Sequence, residues 1–163
     1  MEVQIRVLLI EDDAPLRRSL EKFLTQAGYS LCSCCNAREA LAEVEKSHPH
    51  ILIAEYHLPD ANGAMLLEQL TRYVPHAATV LISEFDYELV ADDIAQVDVH
   101  AFLKKPFDLA ELETVLSSAC CQMRILMRNL KWNADPVLRA YLPPLTRGKL
   151  SEISGSSGAH MKD

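Results

Sequence analysis

Short segments rich in apolar residues alternate with amphipathic stretches along most of the chain. Five such segments predict strands, at 6–10, 29–35, 51–54, 78–82 and 99–103. The run at 51–54 has no polar break, which is typical of a strand buried on both faces of a parallel sheet. After four of the segments, apolar residues recur every three or four positions, which predicts a helix. A helix is also predicted within 87–96, but its pattern is weak because Asp92 and Asp93 interrupt the apolar face.

This alternation predicts an α/β fold of the doubly wound type. Five strands fit a flavodoxin-like parallel sheet of order 2-1-3-4-5. Residues that favour helix ends support the division. Asp13, Asn36 and Asp108 each precede a predicted helix, and Glu39 completes a capping box with Asn36. Gly28 is predicted to end the first helix.

The last predicted helix is longer than this fold requires. Its apolar residues follow a heptad spacing that continues past residue 123: Leu109, Leu112, Leu116, Ala119, Met123, Leu126 and Leu130. We therefore predict a folded domain over 4–123, an extended helix and short helical tail over 124–145, and a flexible tail or linker over 146–163. The projecting stripe predicts a homodimer contact or a docking helix, unless the tail folds back over it; Trp132 suits either arrangement.

Composition narrows the class of protein. The chain has 163 residues, 49% of them hydrophobic and 24% charged, as in an ordinary soluble domain. A net charge of −7 argues against nucleic acid as a direct partner. No apolar run is long enough to span a membrane, and residues 1–6 lack signal-peptide features, so we expect a cytoplasmic protein. Five cysteines, with no export signal, argue against a disulfide framework.

Polar residues follow four of the predicted strands. Glu11 and Asp12 follow the first, Glu55 the third, Ser83 the fourth and Lys105 the fifth. In a 2-1-3-4-5 sheet the carboxyl ends of these four strands meet at one edge. Carboxylates and a carbonyl there would suit Mg²⁺, and a hydroxyl and a lysine would suit the oxygens of a phosphoryl group.

Four motifs together resemble the receiver domain of bacterial two-component response regulators, over residues 4–123. They are Leu-Leu-Ile-Glu-Asp-Asp, Leu-Pro-Asp-Ala-Asn-Gly, Val-Leu-Ile-Ser and Phe-Leu-Lys-Lys-Pro-Phe. The resemblance implies that Glu11 and Asp12 hold Mg²⁺ with the carbonyl of His57. It also implies that Ser83 and Lys105 contact the phosphoryl group. Phe102 falls on the aromatic position that rotates between exposed and buried states.

Two residues depart from the family pattern. Where receivers carry the aspartate that accepts phosphate, four residues before the proline, this chain has Glu55. The extra methylene displaces the nucleophile toward Lys105 and Ser83, so we expect a partial phosphate mimic rather than a conventional acceptor. Glu84 stands where a small residue usually admits the phosphodonor, and we expect it to obstruct and repel the donor. Because Glu55 intrudes on the metal position, the sequence does not decide between a receiver that binds Mg²⁺ and one that does not.

We therefore predict an atypical receiver, or pseudo-receiver, in two-component or phosphorelay signal transduction. It would not be an enzyme and would signal by protein–protein interaction with a sensor kinase or another signalling protein. One alternative is a receiver that accepts phosphate on Glu55 with Mg²⁺. Another is a regulator whose output domain lies beyond this chain.

Overall fold

Five parallel strands and five helices alternate along the chain. The computed structural model describes residues 4–129, with side chains described through residue 122. The elements are β1 Arg6–Ile10, α1 Ala14–Gln26, β2 Ser30–Cys34, α2 Ala37–Ser47, β3 Ile51–Glu55, α3 Gly63–Thr71, β4 Ala78–Ser83, α4 Tyr87–Ile94, β5 Ala101–Lys104 and α5 Leu109–Asn129. The sheet order is β2-β1-β3-β4-β5, which confirms the predicted topology.

The sheet is covered on both faces. Alternate residues of β1 and β3, such as Leu8 and Leu52, pack with α2, α3 and α4. The residues between them, such as Leu9 and Ile53, pack with α1 and α5. Burial on both faces explains why all five residues of β3 are buried and why its sequence has no polar break before Glu55.

The predicted cap residues Asp13 and Asn36 bind the starts of α1 and α2. Asp13 Oδ1 accepts a hydrogen bond from the Leu16 N–H at 2.9 Å, and Asn36 Oδ1 accepts one from the Glu39 N–H at 2.9 Å. The Glu39 carboxylate accepts from the Cys35 N–H at 3.1 Å, one residue before the cap residue Asn36. The α4 cap residue, Asp86, makes no side-chain capping bond.

Strand boundaries differ from the prediction by one or two residues. The second strand is shorter than predicted at both ends. The fifth begins at Ala101 rather than residue 99, because the preceding segment binds β4 by side-chain and single backbone contacts. There Thr79 Oγ1 donates to the Asp98 carbonyl at 2.6 Å, and the His100 N–H donates to the Thr79 carbonyl at 2.9 Å.

The backbone of α5 is described to Asn129, and the first half of its stripe is only partly buried. Leu112, Leu116 and Ala119 lie in the core, but Leu109 is 47% exposed. The side chains of Met123, Leu126, Leu130 and Trp132 lie outside those described. The predicted dimer contact, helical tail and linker lie there too, so the domain division stays a prediction.

The five cysteines form no disulfide in the structure. Burial is the main cause that raises the pKa of Cys34 to about 12, and it also raises the pKa of Cys32. Both thiols therefore stay protonated and poorly nucleophilic near neutral pH. Among the helices of residues 4–129, none combines the length and apolarity needed to cross a membrane.

Candidate functional site

The polar residues at the strand ends meet at one edge of the sheet. Glu11 and Ser83 are completely buried, and Glu55 is 3% exposed. The Lys105 Nζ lies 3.1 Å from Glu11 Oε2 and forms a second ion pair with Glu55 Oε2. The backbone places it there, because the Lys105 N–H donates to the Ser83 carbonyl at 2.8 Å. We call Glu11, Glu55 and Lys105 the buried triad.

Backbone N–H groups bind the remaining oxygen of each buried carboxylate. Glu55 Oε1 accepts from the His57 N–H at 3.1 Å, and Glu11 Oε1 accepts from the Asp13 N–H at 3.0 Å. Each acid therefore interacts with one backbone donor and with the same ammonium group. Sequence reasoning assigned His57 a carbonyl contact to metal and did not anticipate this N–H contact.

One cation compensates two buried carboxylates. Burial is the largest effect on Glu11 and raises its pKa, although the Asp13 N–H and Lys105 act in the opposite direction. Burial alone would lower the pKa of Lys105. The hydrogen bond to Glu55 and the charge of Glu11 outweigh it, so the pKa of Lys105 is raised. The ammonium group therefore stays protonated across the physiological range.

A glycine lets the chain turn tightly behind Glu55. The Gly63 N–H donates to the Tyr56 carbonyl at 2.6 Å. A Cβ on Gly63 would lie 1.9 Å from the Glu55 carbonyl oxygen, so any other residue would push the backbone of one or the other aside. The close approach, rather than a positive φ, is what requires glycine here.

The loop after β3 is bound on two sides. On one side, Asp60 accepts from the N–H groups of Ala37 and Arg38 at 2.9 and 3.0 Å, at the start of α2. These backbone donors lower its pKa. On the other side, Asp93 of α4 accepts from Tyr56 Oη at 2.5 Å and Asn62 Nδ2 at 2.8 Å. The sequence carried no signal for either contact, because the partners lie more than twenty residues apart.

The other predicted site residues lie around the buried triad without joining it. Asp12, His57 and Glu84 have exposed side chains. Ser83 Oγ accepts from the Phe85 N–H at 3.0 Å. Phe102 is half-buried, and its ring meets Tyr87 edge to face at 5.6 Å.

Magnesium does not fit the side chains as they are arranged. Within the described residues, no three His, Cys, Asp or Glu side chains are grouped to hold a metal ion. Lys105 is paired with one oxygen of each buried carboxylate, and Asp12 is exposed. Metal binding would require Lys105 to withdraw and Asp12 to turn inward, since Mg²⁺ demands near-octahedral oxygen ligation.

Known proteins with similar sequences share the matched region but differ in length. The chain is 29% identical over 115 residues to a probable transcriptional regulator ycf27 of Porphyridium aerugineum, covering 69% of this chain and 47% of that protein. It is 25% identical over 113 residues to the chemotaxis protein CheY of Thermotoga maritima, covering 69% and 94%. A third relative is the DNA-binding transcriptional regulator NtrC of Bradyrhizobium, 27% identical over 116 residues, covering 71% and 24%. The chain thus spans half or less of two of these relatives and nearly all of the other.

Solved structures support the same fold. A CheY-like response regulator receiver domain from Methanospirillum hungatei superposes with a TM-score of 0.71 at 20% identity, covering 75% of this chain and 98% of the other. The family profile described as "Response regulator receiver domain" matches residues 7–117, more than half of the chain. The chain therefore belongs to the response regulator receiver domain family of two-component signalling.

Proposed function

We propose that this chain is an atypical receiver in which Glu55 occupies the phosphoacceptor position and acts as a partial phosphate mimic. The observation that carries the proposal is the ion pair between Glu55 and Lys105. In a phosphorylated receiver, the lysine would pair with a phosphoryl oxygen. Here a carboxylate of the chain itself supplies the negative charge, about −1 instead of −1.5 to −2.

Conventional phosphoryl transfer is disfavoured by the same contacts. In-line attack needs a nucleophilic oxygen with free access to the donor phosphorus. Glu55 is 3% exposed, and both of its oxygens are already engaged, one by Lys105 and one by the His57 N–H. Glu84 adds an exposed negative charge next to Ser83. We therefore propose that the chain is not a phosphotransfer enzyme and signals by docking to a sensor kinase or another signalling protein.

Mimicry is only partial because the contacts of Glu55 run to Lys105 and the His57 N–H and not to the switch hydroxyl of Ser83. Ser83 Oγ accepts from the Phe85 N–H, and the mimic's contacts run to Lys105 rather than to Ser83. Phe102 lies between exposed and buried, in contact with Tyr87. We infer a receiver that Glu55 holds near one state and that signals by docking.

Intact-mass measurement after incubation with acetyl phosphate and Mg²⁺ tests the proposal. We expect no mass gain for the wild type and a gain of one phosphoryl group for Glu55→Asp, whose shorter side chain restores the family's nucleophile. A stable, acid-sensitive gain in the wild type that is absent in Glu55→Gln would show that Glu55 accepts phosphate. The alternative function, a Mg²⁺-dependent acceptor, would then replace this one.

Mg²⁺ binding can be measured separately from phosphorylation. Receivers as a family bind Mg²⁺ at this edge, and Glu11, Asp12, Glu55 and the His57 carbonyl are the candidate ligands here. Because Lys105 already pairs with Glu11 and Glu55, we expect Mg²⁺ to stabilise Glu55→Asp against heat more than it stabilises the wild type. Equal stabilisation of the two proteins would contradict the view that Glu55 and Lys105 block the metal position.

A second candidate function follows from the coverage of the relatives. The chain spans 47% of the ycf27 relative and 24% of the NtrC relative, both named as regulators of transcription. The receiver would then control an output region encoded beyond residue 163. Reading the gene past that codon decides between this function and a receiver that works by docking alone.

A further inference from the structure

The segment around α4 has a strongly one-sided charge. Residues 84–98 contain no lysine, arginine or histidine, and their six acids are all exposed: Glu84, Asp86, Glu88, Asp92, Asp93 and Asp98. Asp86 forms an ion pair with Lys104, and Asp93 binds Tyr56 and Asn62. We call residues 84–98 the α4 acidic surface. Most of its charge is left facing solvent.

Large apolar side chains stand among these carboxylates. Phe85 is 44% exposed, Tyr87 49% and Leu89 72%. The Phe85 ring meets Tyr56 edge to face at 6.0 Å, and the Tyr87 ring meets Phe102 in the same way at 5.6 Å. These ring contacts favour one orientation of each aromatic side chain, and such preorganisation lowers the entropic cost of docking.

We propose that the α4 acidic surface docks a basic amphipathic segment of a partner protein. Lysine or arginine side chains on such a segment would pair with Glu88 and Asp92, while its apolar stripe covers Leu89 and the exposed ring edges. A purely apolar segment would leave the carboxylates desolvated without partners. The inference rests on the proposed function, which makes docking the output, and it adds the chemistry of the partner.

Other occupants fit the charge poorly. A second copy of this chain docked face to face would bring six carboxylates against six. Nucleic acid and anionic membranes would be repelled for the same reason. The chain's own segment 124–149 carries six basic residues and one acid, so it is the competitor that the experiment must separate from a partner.

The test uses the full chain and a fluorescein-labelled helical peptide of leucine and lysine, followed by anisotropy. A leucine–glutamate peptide of equal length is the control ligand. We expect the lysine peptide alone to bind, with affinity falling as salt is raised. Glu88→Lys should weaken binding about fivefold, because an exposed attraction becomes a repulsion. Glu88 is chosen because Asp86 and Asp93 have structural contacts and Glu84 adjoins the buried triad.

Two matched variants show whether binding is local. Glu45→Lys makes the same charge change on α2, and Met65→Ser removes an exposed apolar side chain from α3, matching Leu89→Ser. We expect Glu88→Lys and Leu89→Ser to weaken binding and their two controls to leave it unchanged. If Glu45→Lys weakened binding as much as Glu88→Lys, or if Leu89→Ser did not weaken it, net charge alone would explain binding. Either result would overturn the proposal.

The remaining outcomes decide whether a partner or the chain's own basic segment occupies the α4 acidic surface. In one outcome, the wild type fails to bind the lysine peptide while the variant Arg124→Glu/Arg128→Glu binds it. The chain's own basic segment would then be the occupant, and the proposal of a partner protein would be wrong. Binding by neither protein overturns the proposal outright. None of these results depends on phosphorylation, so a failure here is distinguishable from a mass gain on Glu55, which would refute the proposed function instead.

Discussion

The molecule carries two acidic regions that differ in how their charge is compensated. In the buried triad, two carboxylates share one ammonium group, and backbone N–H groups bind their other oxygens. On the α4 acidic surface, six carboxylates face solvent, and Lys104 pairs with Asp86 alone among them. The buried triad fixes the positions of its charges inside the fold, whereas the α4 acidic surface leaves carboxylates available to pair with a partner.

One acid in each region has a shifted pKa, and the two shifts run in opposite directions. Burial is the main reason that the pKa of Glu11 is raised. Hydrogen bonds from Tyr56, and then from Asn62, lower the pKa of Asp93. Ionisation is therefore costly at Glu11 and favoured by local donors at Asp93. The same side-chain chemistry acts as a constraint in one region and as a recognition surface in the other.

Removing the cation from the triad is expected to have the largest effect. Lys105→Met would leave Glu11 and Glu55 buried without their shared partner, and we expect a loss of about 3 kcal/mol in the free energy of unfolding by urea denaturation. Lys104→Met is the matched control, because its ion pair with Asp86 is exposed and should contribute less than about 1 kcal/mol.

The double variant Lys105→Met/Glu55→Gln shows whether the loss comes from uncompensated charge. It should recover part of the stability, because one buried carboxylate is then neutral. A double variant as unstable as Lys105→Met alone would mean that the methylene stem, rather than the charge, is what the fold requires.

Gly63→Ala should have the next largest effect, because it disturbs the triad through the backbone. The added Cβ meets the Glu55 carbonyl at 1.9 Å, so we expect a cost of about 2 kcal/mol and a displaced Glu55. Gly28→Ala is the control. Gly28 has a φ of +93° and open space around it, so its cost of about 1 kcal/mol is conformational strain alone. Equal costs would contradict a steric requirement at Gly63.

The sequence predicted the architecture better than the contacts within the site. Apolar runs and cap residues placed the strands and helices, and strand order brought Glu11, Glu55 and Lys105 together. Whether a carboxylate after a strand turns inward could not be predicted, because Glu11 and Asp12 are neighbours of the same charge. One is buried and the other exposed, and only the packed loops decide which.

Contacts between distant segments were likewise beyond the sequence pattern. Asp60 lies one residue past Pro59 in the loop and belongs to no apolar or capping pattern, yet it binds the start of α2. Asp93 was expected only to interrupt an apolar helix face, yet it binds the loop that leaves β3. Single polar residues on exposed faces satisfy no periodicity, so their partners emerge only when the elements are packed.

Breaking the link between α4 and the β3 loop should have a smaller, pH-dependent effect. Because the folded pKa of Asp93 is lowered from 3.8, its contribution to stability is present above that pH and is lost as pH falls through the folded pKa. Asp93→Asn should therefore lower the thermal midpoint at pH 7, and the difference from wild type should shrink below pH 3.8. Asp92→Asn, an exposed neighbour, is the control for general charge repulsion.

Tyr56→Phe removes the donor from the other side of the same bond. Its effect should not add to that of Asp93→Asn, because both variants break one interaction. Fully additive decreases would mean that Asp93 and Tyr56 stabilise the fold through separate contacts.

Asp12→Asn should have the smallest effect, which sharpens the comparison between the two neighbouring acids. The Asp12 side chain is exposed, and its backbone carbonyl, at 3.5 Å from Arg17 Nη1, is unchanged by the substitution. We expect the free energy of unfolding at pH 7 to change by less than about 0.5 kcal/mol. Glu11→Gln, one residue earlier, should instead increase stability, because Lys105 would then face a single buried carboxylate. A decrease of more than about 1 kcal/mol in Asp12→Asn would place Asp12 in the buried cluster and reopen the metal site that Lys105 otherwise blocks.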